Sequence, residues 1–256
     1  MRKVLIPAVL GVAVFGCGVL LGCLVQTRPP YRPGGLALVK AIQEDDQRRA
    51  QELAHFWWVP ILEDEKHLHI GSRFYLPIHV AAGYGRVAIL EALIREHADV
   101  DARDNAGWTP VIWTFYGSSV GREAERLECL RVLARSRANL DAQDGGARHT
   151  ALHLAADQGN VAFVRELVKL GANVRARCYD GSTPLHLACK AFLPKHAPEP
   201  AEIIKVLIKA GADVQAKNDA GQTAEDVARE KGREQVATLL REAGGNKPRK
   251  GPARQP

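Results

Sequence analysis

Catalytic signature motifs are missing from this sequence of 256 residues. It contains no Gly-x-Ser-x-Gly elbow, no phosphate-binding loop and no dinucleotide fingerprint, so the case for an enzyme is weak. Cysteine is scarce as well. Cys17 and Cys23 lie near the N-terminus, and the remaining three, Cys129, Cys178 and Cys189, are too few to form a disulfide framework.

Surplus charge is absent from the middle of the chain. The formal net charge is +6, but Arg2 and Lys3 contribute two of these charges and residues 244–256 contribute four, and neither end has an acidic residue. The remainder is therefore neutral. Nucleic-acid binding needs a concentrated basic face, so we expect no nucleic-acid partner.

What the sequence does contain is a short motif that recurs at a near-constant interval. The second residue of each copy falls at 77, 110, 151, 184 and 224, which gives steps of 33, 41, 33 and 40 residues. A period of this kind predicts stacked supersecondary units, each of which buries its apolar face against its neighbours. Such an architecture usually provides a surface that holds another molecule.

Each unit is predicted to consist of two helices joined by turns. In the unit at 143–176, Thr150 can cap the first turn of a short apolar helix, which ends at Gly159. A second, amphipathic helix covers residues 161–170. Gly171 then supplies the left-handed C-cap. Turns rich in Asp, Asn and Gly lead to the next Thr.

Residues 183–188, Thr-Pro-Leu-His-Leu-Ala, carry a family resemblance. They resemble the ankyrin repeat, whose signature is Thr-Pro-Leu-His-x-Ala in a turn–helix–helix unit of about 33 residues. The resemblance covers roughly residues 71–243. It implies an all-α ankyrin-repeat solenoid of about five stacked helix–turn–helix units with β-turn or hairpin tips, in which the last unit is a cap.

Two regions depart from the repeat pattern. In the unit at 105–142, Ile112 replaces the motif His, and Trp113 and Phe115 stand where Leu and Ala are usual. Residues 36–70 have about the length of a repeat but lack its motif. We expect them to form a degenerate helical N-terminal cap.

The first 25 residues carry a targeting pattern. Arg2 and Lys3 precede an uncharged apolar run that includes Leu-Leu-Gly-Cys at residues 20–23. This pattern predicts a secretory signal. Its end resembles a bacterial lipoprotein signal, which implies removal of residues 1–22 and lipidation of Cys23. The less favoured alternative is an uncleaved anchor, since about 20 apolar residues span a bilayer. Both predict a membrane-anchored protein of the cell envelope that faces the periplasm.

Two segments of unusual composition flank the expected folded domain. Residues 23–35 are rich in Pro and Gly and are predicted to be an extended tether that holds the domain away from the bilayer. Residues 244–256 form a basic tail that is predicted to be disordered.

Histidines provide the only candidates for a metal site. His67 and His69 lie near residues 63–65, Glu-Asp-Glu, but no cysteine or well-placed third ligand accompanies them. We interpret this cluster as a solvated loop and expect no cofactor. The family resemblance assigns a structural role to His79, His153 and His186, which would tie each helix start to the neighbouring turn.

A partner is expected on the face formed by the turn tips and the exposed side of the first helices, which the family uses as a concave surface. Trp, Tyr and Arg dominate the energetics of protein interfaces. An alternative for Trp113 and Phe115 is that they fill space beside an insertion at 118–126. The partner-binding candidates at these positions are Arg103, Asn105, Trp108, Trp113, Tyr116, Arg148, His149, Arg177, Tyr179 and Ser182.

Together these features favour a monomeric, membrane-tethered module that binds a protein partner, as an inhibitor or a scaffold in the cell envelope. One alternative is a metal-dependent or redox enzyme on the same scaffold. Another is a structural spacer or a self-associating envelope protein.

Overall fold

The structure, a computed structural model, describes residues 33–44, 46–54, 61–62, 74–116, 122–190 and 200–245. These residues are mainly helical, with one short antiparallel pairing of two strands. The elements are α1 (Pro33–Gln43), α2 (Gln47–Glu52), β1 (Ile61–Leu62), β2 (Phe74–Tyr75), α3 (Pro77–Gly83), α4 (Val87–Arg95), α5 (Pro110–Tyr116), α6 (Glu123–Arg135), α7 (Ala151–Asp157), α8 (Val161–Lys169), α9 (Pro184–Lys190), α10 (Pro200–Lys209), α11 (Ala224–Glu230) and α12 (Glu234–Ala243).

The helices stack in two layers. The odd-numbered helices pack in succession to form an inner layer, from α1 against α3 to α9 against α11. The even-numbered helices form the outer layer, and each packs against its partner in the same unit, as α7 does with α8 and α11 with α12. Small and branched apolar side chains fill the space between the layers, and Phe163 is the largest of the fully buried ones. Its ring meets the edge of the Phe115 ring at a centroid distance of 5.6 Å.

Local chemistry explains where the short inner helices begin and end. Thr150 precedes α7, and its hydroxyl accepts a hydrogen bond from the backbone N–H of His153. Thr223 caps α11 in the same way. At the other end, Gly159 has φ = 71°, a left-handed conformation in which a side chain would be strained. These local signals limit α7 to about two turns.

The N-terminal helices continue both layers. Helix α1 packs against α3, and α2 packs against α4. Arg86 ties the two units together, because its guanidinium donates to the backbone carbonyls of Ile42 (2.9 Å) and Gln43 (3.0 Å). Helix α1 begins at Pro33, inside the stretch for which the sequence predicts an extended tether. Proline at the first helical position loses no hydrogen bond, so it starts this helix instead of preventing it.

Several predicted features lie outside the described residues. They are the signal or anchor with Cys23, the tether up to residue 32, the cluster at His67 and His69, and all but the first two residues of the basic tail. Among the residues that the structure does describe, no helix has the length and apolar character needed to cross a membrane.

Candidate partner-binding surface

The turns that precede the inner helices share one internal hydrogen-bond pattern. Asp104 Oδ1 accepts from the backbone N–H groups of Ala106 (2.9 Å) and Trp108 (2.8 Å). Asp144 and Asn218 close their turns in the same way, by accepting from the N–H groups of His149 and Gln222. Each turn is thus held by a side chain at the same position of the repeat.

Backbone hydrogen bonds join each of these turns to the next one. The N–H of Gly145 donates to the carbonyl of Ala106 at 2.9 Å, and the N–H of Tyr179 donates to that of Ala147 at 2.8 Å. A third bond links Asp219 to Asp180 at 3.0 Å. The turns of four successive units therefore form one continuous edge.

Side chains reinforce the same edge. Arg103 donates through Nη1 to the carbonyl of Gln143, in the next turn, at 2.7 Å. Gln143 in turn donates through Nε2 to the carbonyl of Arg177 at 2.8 Å, and Arg177 donates to that of Lys217 at 2.9 Å. Sequence reasoning did not single out Gln143. Its position, equivalent to those of Arg103 and Arg177 in the repeat, is the signal that identifies it.

Arg148 occupies a strained position beside this row. Its backbone has φ = 57°, a conformation that L side chains avoid, and the equivalent residues of the other turns are Gly107, Gly181 and Gly221. The Arg148 side chain is exposed, and its Nε donates to Gln143 Oε1 at 3.0 Å.

Tyr179 is the most prominent residue of the edge. Its side chain is 76% exposed, and among the described residues it is the one large apolar side chain with high exposure. Asn105 is exposed at the equivalent position of an earlier turn. Tyrosine brings a large, rigid contact area together with a polar group, which suits a partner-binding role.

Other predicted binding residues are less exposed than Tyr179 or have side chains outside the described part of the structure. Ser182 is only 4% exposed, so its hydroxyl is not presented at the surface. Trp108 and His149 are half-buried, and the His149 ring stacks on that of His153 at 5.8 Å. The side chain of Tyr116 lies outside the described part of the structure.

Trp113 packs inward over the preceding unit. Its ring lies 5.3 Å from the ring of Tyr75 and 5.7 Å from that of His79, between centroids. Its indole N–H donates to Asp104 Oδ2 at 3.0 Å. Phe115 is only 8% exposed, so both aromatic residues contribute to packing within the stack.

The motif histidines are structural links between units. His153 Nδ1 accepts from the backbone N–H of Thr150 at 3.2 Å. Its Nε2 donates to the carbonyl of Ser182, in the next turn, at 3.2 Å. Burial lowers the pKa of His153 to about 4, although the bond to Ser182 opposes this shift. His79 and His186 make the equivalent contacts, and burial lowers their pKa values too.

The three cysteines that the structure describes are buried thiols. Burial raises the pKa values of Cys129 and Cys189 to about 12. For Cys178, burial and a hydrogen bond to Asp180 Oδ1 raise the pKa to about 11. Burial alone would raise the pKa of Asp180, but the hydrogen bonds from Cys178 and Ser182 lower it to about 2. None of the three thiols is therefore poised as a thiolate nucleophile at neutral pH.

Polar residues also line a shallow depression between the last two units. It has a volume of about 370 Å³ and is bordered by His186, Lys190, Asp219, Glu230 and Lys231. Within the described ranges, no group of three or more His, Cys, Asp or Glu side chains is arranged to hold a metal ion.

Comparison with known protein families identifies the repeat. A model of three ankyrin repeats matches residues 121–218, and a single-repeat model matches residues 75–105. The two matches together cover about half of the chain. The chain belongs to the ankyrin-repeat family. With the helical stack described above, this confirms the all-α ankyrin-repeat solenoid that the sequence predicts.

Curated ankyrin-repeat relatives align with the same region. The chain is 31% identical over 175 residues to ankyrin repeat and SOCS box protein 3 of Bos taurus, covering 57% of this chain and 32% of that protein. It is 32% identical over 157 residues to inversin of Homo sapiens, covering 61% and 14%. It is also 32% identical over 145 residues to the nuclear factor NF-kappa-B p105 subunit of Gallus gallus, covering 55% and 13%. The chain spans a third or less of the length of these relatives, so the similarity concerns the repeats. An ankyrin-repeat surface of this kind indicates a protein partner.

Proposed function

We propose that this protein captures a partner protein on the edge formed by its turn tips, and that it acts by binding and not by catalysis. The observation that carries the proposal is the exposure of Tyr179 on an edge that is otherwise tightly hydrogen-bonded. A rigid edge loses little entropy when a partner binds. The partner therefore meets a preformed surface with an aromatic residue at its centre.

The second element of the proposal is a membrane tether. The basic start, the apolar run and the Leu-Leu-Gly-Cys sequence at residues 20–23 support attachment through a lipid on Cys23. The protein would then face the periplasm as a monomer in the cell envelope. There it would hold an envelope protein in place or inhibit it.

Capture of a partner can be tested by crosslinking the native full chain in intact envelopes. Tyr179→Asn is the informative variant, because Asn105 already occupies the equivalent position and the turn should fold unchanged. Gln158→Ala is the matched control, since Gln158 is exposed in the turn at the opposite end of α7. We expect a specific partner with the native chain and the control, and much less of it with Tyr179→Asn. Absence of any specific partner would overturn the proposal.

The tether can be tested by labelling with radioactive palmitate and by membrane fractionation. The native chain should incorporate the label and sediment with membranes, and Cys23→Ser should lose the label. A Cys23→Ser chain with the native mass and membrane association, together with an unlabelled native chain, would instead establish an uncleaved anchor. A native chain that stays soluble would contradict both. Light scattering of the detergent-solubilised protein would test the expected monomer.

A further inference from the structure

Three arginines of the turn edge suggest what kind of partner segment binds there. We propose that Arg103, Arg148 and Arg177, the arginine row, recognise an extended acidic segment of the partner protein. This inference rests on the proposed function, because it names the chemistry of the partner at the same edge. It follows from which charged side chains of the turns are bonded within the fold and which are exposed to solvent.

The carboxylates of these turns are less exposed than the arginines: Asp104 is buried, Asp101, Asp141 and Asp144 are partly buried, and only Asp180 of these five is exposed. Asp104 and Asp144 accept hydrogen bonds from N–H groups of their own turns. Asp180 accepts from Ser182 and from the Cys178 thiol. Asp101 and Asp141 each accept from a backbone N–H in the next unit, at 2.8 Å. Each of these carboxylates thus has at least one oxygen engaged within the fold.

The arginines have donors to spare. Arg103 and Arg177 use only Nη1 in their described hydrogen bonds, and Arg148 uses only Nε. A guanidinium has five N–H groups in a planar fork, which suits a carboxylate. All three side chains are exposed. The edge therefore offers three exposed guanidinium groups to solvent, whereas four of the five carboxylates named above are partly or fully buried.

Gln143 holds the row in place. Its backbone carbonyl accepts from Arg103, its Oε1 accepts from Arg148, and its Nε2 donates to the carbonyl of Arg177. Arg103, Arg148 and Arg177 lie in three successive turns. The helices that follow such turns pack about 8–10 Å apart. An extended segment rises about 3.3 Å per residue, so acidic residues at every third position would match this spacing.

The conformation of Arg148 is a second, independent observation. Glycine occupies the equivalent position in three other turns, so the fold does not require a side chain there. A non-glycine residue in the left-handed region is strained, and such strain marks candidate functional positions. Arg148 precedes His149 and follows Ala147, whose carbonyl accepts from the N–H of Tyr179. An apolar side chain of the partner segment would therefore pack on Tyr179 while an acidic neighbour meets Arg148.

The row ends before the last turn. Asp219 is exposed there, and its carboxylate lies against Gly181, so closely that a Cβ on Gly181 would approach Oδ1 to 2.3 Å. This negative charge disfavours extension of the acidic segment past Arg177. We therefore assign the segment to the turns at 101–107, 141–149 and 175–182.

The chain itself supplies substitutions that remove the charges and keep the turns. Arg103→Gln and Arg177→Gln introduce the residue that Gln143 shows to be compatible with the bond to the next turn. Arg148→Gly introduces the residue that the other turns carry. The triple variant should fold at least as stably as the native chain, as thermal unfolding can verify. The matched control, Arg137→Gly with Lys205→Gln and Lys209→Gln, changes the net charge equally at exposed positions outside the edge.

The test is selection of random 12-residue peptides displayed on phage against the detergent-solubilised full chain. We expect enrichment of Asp or Glu at every third position next to an apolar residue. The best peptide should bind the triple variant about tenfold more weakly, and the control within about twofold. Raised salt should weaken native binding, since exposed charges are screened.

Failure of this inference is distinguishable from failure of the proposed function. A peptide pool without acidic bias, no selected peptide at all, or an acidic peptide that binds the triple variant with native affinity would overturn the inference. If the triple variant still captured the envelope partner, binding by the edge would stand and its acidic preference would be wrong. If the native chain captured no partner, the proposed function itself would fail.

Discussion

The irregular unit at 105–142 and the regular unit at 143–176 reach the same helix pair through different polar contacts. In the regular unit, Thr150 and His153 bond to each other, and His153 reaches forward to the carbonyl of Ser182. In the irregular unit, Ile112 is fully buried in place of the histidine. Thr109 Oγ1 is buried there and has no hydrogen-bond partner among the described residues.

The irregular unit compensates by reaching backward. Trp113, the residue after Ile112, bonds to Asp104 in the turn that precedes α5. Contact with the following turn is made by the Arg103 side chain and by the backbone hydrogen bond between Ala106 and Gly145. The comparison shows that the histidine is one of several ways to align a turn, and that an apolar residue is tolerated where the edge supplies other links.

The largest effect is expected from making the regular unit resemble the irregular one. His153→Ile removes the partner of the buried Thr150 N–H and one of the two donors to the Ser182 carbonyl, which keeps its bond from the Cys178 N–H, and should lower the free energy of unfolding by about 2 kcal/mol. Urea unfolding monitored by circular dichroism measures this. Ile112→Val, in the irregular unit, should cost only about 1 kcal/mol. A loss below about 0.5 kcal/mol for His153→Ile would mean that the histidine link is dispensable.

Acid should destabilise the units that carry the motif histidine. The pKa of His153 is near 4 in the folded state and near the ordinary 6.5 when unfolded, so the unfolded chain binds more protons between these values. The stabilisation is complete above pH 6.5 and is lost as the pH falls toward 4, by an amount on the order of 2 kcal/mol. His79 and His186 add in the same direction. Urea unfolding at successive pH values should show that the free energy of unfolding changes less steeply with pH for His153→Gln than for the native chain. An unchanged pH dependence would contradict the assignment of this effect to His153.

A matched pair of threonine substitutions sharpens the comparison. Thr150→Val removes a helix cap and a bond to His153, and should cost about 1–2 kcal/mol. Thr109→Val removes a buried hydroxyl without a described partner, so it should be neutral or stabilise by up to about 1 kcal/mol. Thermal unfolding of the two variants tests this. Equal losses would show that Thr109 is also bonded.

The smallest effect concerns the ends of the outer helices. Arg137, in the irregular unit, has φ = 64° at the position where the regular unit has Gly171. Arg137→Gly should therefore stabilise the fold by about 0.5–1 kcal/mol, and Gly171→Ala should destabilise it by about 1 kcal/mol. Opposite shifts in the melting temperature are expected. Shifts of the same sign would contradict the strain argument.

The repeat architecture could be predicted because its signals are local. The Thr caps and the Gly stops lie within a few residues of the helices they bound, and the helix predicted over 161–170 is observed as Val161–Lys169. The cap region is harder, since residues 36–70 lack the motif. Its docking depends on Arg86, more than 40 residues away from the carbonyls it contacts.

The surface was less predictable, because exposure is decided by contacts between turns. Tyr179 is exposed as the sequence predicts, but Ser182 is buried and its carbonyl accepts from His153 in the preceding unit. Similarly, the indole N–H of Trp113 bonds to Asp104 Oδ2, a contact that spacing alone does not reveal. Whether a turn residue is exposed to a partner thus depends on its contacts with neighbouring turns as well as on its position in the repeat.

The donor-to-acceptor direction of the side-chain hydrogen bonds along the edge affects how such a chain can evolve. Each donor is a side chain, but each acceptor is a main-chain carbonyl in the following unit, which every residue possesses. A duplicated or deleted unit would therefore find an acceptor ready without any matching mutation in its neighbour. For these three bonds, natural selection has only the donor side chain to specify.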